Sequence, residues 1–170
     1  MCAHSSSGAE ITEKIGQKLY PFISSIFQEI MQINQQNVLM DQDAPVAQKF
    51  YQLKSEFDSL RNYEVKLVFP SVLRVFNTKD KPEENPSINV LELQGLTRNK
   101  EKAIMELVAA LKAEISALHL AKEHPLHQLI FVFETSFVQE KQQWNAMLHG
   151  WNIGCACFAA AQKTNSITEQ

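Results

Sequence analysis

At 170 residues and 19.3 kDa, with 45% hydrophobic and 21% charged residues, 5 glycines and 6 prolines, the chain has the composition of one compact soluble domain. A chain of this length buries about 70% of its unfolded surface, so it needs neither a disulfide nor a metal merely to stay folded. A net charge of -3 and a pI near 6.0 exclude a broad nucleic-acid surface, and the apolar runs are too short to span a bilayer.

Residues 1–9 are small and polar, with no signal-peptide core before Glu10, and read as a flexible tail. The three cysteines, Cys2, Cys155 and Cys157, form neither a paired framework nor a Cys-x-x-Cys motif, which suits a reducing, cytoplasmic home. Residues 163–170 lose apolar periodicity and read as a frayed end, so the whole of 1–170 is expected to be one domain.

Ile15, Leu19, Ile23, Ile26, Ile30 and Ile33 recur at three- and four-residue steps and draw one apolar stripe along a first helix. Pro21 falls inside it, so the helix starts there or bends there. Residues 34–43 are turn-like, and Pro45 suits the first turn of a second helix. Phe50, Leu53, Phe57, Leu60, Leu67 and Val68 continue the spacing, with Pro70 kinking the last part. Residues 77–86 are the one clear linker. A third helix is clearest over 100–118, and 87–96 is either its first turns or a separate piece, since Gly95 and Thr97 interrupt the pattern. His124 and Pro125 open a fourth helix through Ile130, Phe133, Phe137, Trp144, Met147, Trp151 and Phe158. Four amphipathic segments on short connections predict an all-α, antiparallel up-down four-helix bundle. A shift of 80 positions lays Phe50 on Ile130, Phe57 on Phe137 and Pro70 on Gly150, as two similar helical hairpins would.

Two carboxylates interrupt these stripes. Glu64 follows Leu60 where an apolar residue is expected, and Glu140 falls between Phe137 and Trp144. A lone ionised carboxylate in a core costs several kcal/mol unless it is paired, coordinated or protonated. Either Glu64 bonds a Tyr, Trp or Lys while Glu140 tilts to the edge beside Lys141 or solvent, or the two are parts of a metal site. In a bundle that no longer holds a metal, Glu64→Gln or Glu64→Leu is expected to be neutral or stabilising, because a buried charge is removed.

The run Leu60-Arg61-Asn62-Tyr63-Glu64-Val65-Lys66-Leu67-Val68-Phe69-Pro70 resembles the second-helix motif of hemerythrin-like domains, including the iron-sulfur cluster repair proteins. In that family a His precedes the Glu by four residues, and the motif closes on Leu-Phe-Pro. The resemblance implies a bundle that holds two irons and binds or reduces dioxygen, senses iron or oxygen, or repairs clusters. It places the acidic ligand at Glu64 but the histidine at Leu60, and in the fourth helix at Glu140, with Trp144 at the following Glu position. The five histidines are His4, His119, His124, His127 and His149, so residues 5–118 offer no imidazole. The bulk of Leu60 and Trp144 falls where ligands and iron would sit.

His124 and His127 flank Pro125 and read as a helix cap rather than a metal pair. Cys155 and Cys157 read as packing. Phe131 lies off the main stripe, at the surface or an interface. The expectation is a non-catalytic, hemerythrin-like bundle that has lost its di-iron ligands and binds a protein partner or a small apolar ligand. Leu60, Phe57, Phe137 and Trp144 would line the core pocket, and no cofactor is expected. Two alternatives stand beside it: a metal-binding or oxygen-sensing relative using Glu64 and Glu140, with iron as cofactor, and a structural homodimerisation module.

Overall fold

The computed structural model describes residues 8–37, 45–77, 90–120 and 122–165, and the side chains of 10, 12–33, 45–73, 95–120, 122–142 and 144–146. The expected tail up to residue 7, the 77–86 linker beyond its first residue, the 163–170 end beyond Asn165 and most of the first turn fall outside this set, whereas Gly8 and Ala9, expected in the tail, are helical. So do the side chains of Met147, His149, Trp151, Cys155, Cys157 and Phe158.

The described residues are all-helical, with no strand among them. Helix α1 (Gly8–Glu13) runs through a π-helical segment (Lys14–Leu19) into α2 (Tyr20–Asn37). Helix α3 (Pro45–Tyr63) runs through a second π-helical segment (Glu64–Val68) into α4 (Phe69–Asn77). Helices α5 (Val90–Ala117) and α6 (Pro125–Asn165) complete the chain as two long uninterrupted rods. No helix among the described residues is long and apolar enough to cross a membrane.

The prolines explain the π segments. A proline inside a helix has no N–H to donate, and its ring clashes with the carbonyl four residues back. Widening the preceding turn to π geometry moves that carbonyl aside. Pro21 and Pro70 are each the second residue after a π segment, and the residue before each proline makes the wide bond: Tyr20 N–H donates to the Ile15 carbonyl and Phe69 N–H to that of Glu64. The expected break at Pro21 and kink at Pro70 are thus a wide turn in both rods. The Tyr20 and Phe69 rings stack across the two turns, 6.4 Å apart and 12° from parallel.

A π turn holds one extra residue and so shifts the apolar phase. Past Glu64 the buried residues among those described in this rod are Val68, Phe69 and Val72, and Leu67, expected on the stripe, is exposed. In α5, the uncertain stretch before Lys100 is helix from Val90; Gly95 sits exposed on it and Thr97 is buried. His119, at φ 53, leaves the helical conformation just past the end of α5.

Contacts close the four rods into a ring. Helix α3 lies along α5, α5 along α6, α6 along α2 and the first π segment, and α1 along α4. The centre is aromatic: Phe27 meets Phe50, Phe57 and Phe133 at 5.5–5.6 Å between centroids, and Phe133 stacks on Phe137 at 5.8 Å. Phe27 and Tyr20 are buried beside the isoleucine stripe of the first rod, whose apolar face is wider than a strict three-and-four spacing suggests.

Candidate functional site

Glu64 opens the second π segment with its side chain fully buried, the position equivalent, by the wide hydrogen bond, to the fully buried Ile15 of the first rod. Opposite it, α6 delivers Lys141, 4% exposed, whose Nζ donates to Glu64 Oε1 at 2.5 Å. The same ammonium lies 3.7 Å from Glu101 Oε1 on α5. Asn145, one turn beyond Lys141, donates from Nδ2 to Glu101 Oε2 at 3.2 Å. The rings of Tyr20 and Phe137 flank the ammonium, each with its centroid 5.8 Å away. Three rods therefore bring together a buried carboxylate and ammonium, Glu64 and Lys141, with a part-buried carboxylate and amide, Glu101 and Asn145, at the margin of the core.

The electrostatics follow from burial. Desolvation pushes the Glu64 carboxyl above the ordinary carboxylate range, the charge and hydrogen bond of Lys141 pull it back, and the Glu101 carboxylate adds to the push. Two carboxylates face one ammonium, so the cluster is one positive charge short. Glu64 Oε2, Glu101 Oε1, Tyr20 OH and Trp144 Nε1 are buried without a hydrogen-bond partner among the described residues.

Glu64 bonds a lysine and Glu140 tilts to the edge, as the first of the two alternatives has it, but Lys141, expected beside Glu140, is the partner of Glu64. Phe137, Glu140, Trp144 and Phe137, Lys141, Trp144 are both helical spacings, and it is Lys141 that faces inward. The Glu140 side chain is 19% exposed at the edge, where Lys14 Nζ meets its Oε1 at 3.0 Å; its partner is Lys14, not Lys141. Glu64 and Glu140 are thus closed by different lysines. Leu60, Phe57, Phe137 and Trp144 are all buried, with Phe57 edge-on to Phe137 at 6.3 Å and Phe69 edge-on to Trp144 at 5.4 Å. The sequence placed Lys141 beside Glu140 rather than against Glu64, and did not single out Glu101. The signal for Glu101 was available, because the α5 stripe Ile104, Val108, Leu111, Ile115 continues backward through Glu101 to Thr97.

This donor set does not fit a di-iron centre. Its oxygens surround an ammonium, and no group of three His, Cys, Asp or Glu side chains able to hold a metal occurs among the described residues. His119 and His124 lie in the turn between α5 and α6 and His127 in the first turn of α6, where the His124 Nδ1 accepts the Leu126 N–H at 3.3 Å and caps the helix. At 1.5 Å per residue, His127 lies about 20 Å along α6 from Lys141. An open hollow beside this turn is lined by Lys122, His127, Gln128, Phe131 and Val132, with Phe131 62% exposed.

No protein-family model matches the chain, and neither a curated protein nor a solved structure is significantly similar to it.

Proposed function

We propose that the chain is an antiparallel up-down four-helix bundle of the hemerythrin type, built from two similar hairpins, that has lost its di-iron ligands and serves as a non-catalytic binding protein. The single observation that carries this reading is the seat of Lys141: a protein ammonium stands between the buried carboxylate of Glu64 and the part-buried one of Glu101, and aromatic side chains fill the core around it. A carboxylate with no exposed surface and a lysine already bound to it offers substrate neither a base nor a nucleophile. Function then falls to the outer surface, with a protein partner or a small apolar ligand as its object.

Elemental analysis and the visible spectrum test this on protein purified from iron-supplemented medium without chelator. Metal-free, colourless protein is expected; two irons per chain with an oxo-bridge band would overturn the reading. The exposed Phe131 beside the α6 hollow favours a second reading, a homodimerisation module. Sedimentation at high concentration tests it, and a strictly monomeric boundary rejects it.

A further inference from the structure

We propose that Lys141 is a built-in counter-ion seated in an all-oxygen cation site made by Glu64 and Glu101, and that removing its charge turns this seat into a binding site for a hard divalent cation. The inference rests on the geometry of the cluster and holds whatever the bundle's outer surface binds.

The site is already organised around a cation. Glu64 arrives from the π segment and Glu101 from α5, on different rods, and both point an oxygen at one nitrogen, at 2.5 and 3.7 Å. Asn145 ties the other oxygen of Glu101, which fixes the carboxylate from a third direction. Glu64 Oε2 is fully buried, makes no hydrogen bond to the described residues and keeps its lone pairs for a further positive group. The Tyr20 and Phe137 rings stand beside the cation, where ring quadrupoles favour positive charge.

Charge and donor type select the ligand class. With both carboxylates ionised the cluster carries one net negative charge when Lys141 is protonated and two without it, which a divalent ion neutralises as it displaces any proton on Glu64. Carboxylate oxygens with no histidine or cysteine ligand beside them among the described residues suit Mg2+, Mn2+ or Ca2+ rather than softer ions. Lysine in this seat supplies the cation from within the chain, so the core closes without drawing on any metal.

Manganese is the probe. Wild-type protein and Lys141→Ala, both stripped with chelator, are titrated with Mn2+ while the signal of the free ion is followed by electron paramagnetic resonance. The expected result is one Mn2+ per chain for Lys141→Ala, none for wild type over the same range, and a melting temperature that rises with Mn2+ only in the variant. Adding Glu64→Gln or Glu101→Gln to Lys141→Ala should weaken the binding at least tenfold. If Lys141→Ala is unfolded without metal, it should refold when Mn2+ is supplied. A folded variant that takes up no Mn2+, a variant that stays unfolded in its presence, equal uptake by wild type, or binding untouched by the glutamine substitutions would each overturn the proposal.

Discussion

Glu64 and Lys141, 77 residues apart in sequence, are each other's closest polar partners in the core, joined at 2.5 Å with almost no exposure on either side chain. Removing one of two buried, paired charges strands the other, at a cost of about 3–5 kcal/mol, whereas replacing both with apolar groups of similar volume is about neutral or stabilising. Lys141→Met alone, in chelator, and Glu64→Leu alone should therefore each lower the urea midpoint strongly, and the double substitution should recover most of the loss. This replaces the sequence expectation that Glu64→Leu would be harmless, because Lys141 depends on it. Additive single losses would refute the coupling. At the edge, Lys14→Ala breaks an ion pair whose lysine is 42% exposed, and should cost no more than about 1 kcal/mol.

The pH dependence follows from Glu64. Its carboxyl is raised above the ordinary value of 4.5, so the folded state holds this proton more tightly than the unfolded state. The stabilisation from Glu64 is full below that ordinary value and is lost as pH rises through the raised one. Glu64→Gln removes the dependence. Measured across this window, the stability of wild type relative to Glu64→Gln should fall with rising pH, and a flat difference would show that Glu64 does not titrate there.

Gly95 lies within α5, exposed, and a methyl added to it meets nothing within 4 Å. Gly95→Ala should stabilise the fold by about 0.5–1 kcal/mol, since alanine loses less backbone freedom in a helix. A rise of a few degrees in melting temperature checks it.

The ring of Phe57 meets Tyr20, Phe27, Phe133 and Phe137, whereas Phe131 stands largely in solvent. Phe57→Ala should cost about 3–5 kcal/mol, while Phe131→Ala should change monomer stability by less than about 0.5 kcal/mol. A large loss for Phe131→Ala in the monomer would place that side chain in the core.

Helix periodicity is a local property, and so the all-α architecture, the apolar stripes of the four rods and the anomaly at Glu64 were legible from the sequence alone. The capping role of His124 was legible for the same reason: Pro125 marks the helix start within a few residues of it. Direction around a helix was harder to read. Glu140 and Lys141 both fit the spacing between Phe137 and Trp144, and 100° of rotation separates a core ion from an edge ion. Only the neighbouring helices decide which faces inward. The π turns act likewise, since the extra residue ahead of Pro70 turns Leu67 out and Val68 in. What the sequence determined is that a buried Glu64 requires a partner. That the partner is Lys141, shared with Glu101, was decided by the tertiary structure, because charge compensation in a core depends on which distant side chains the packing of separate helices brings within a few ångströms.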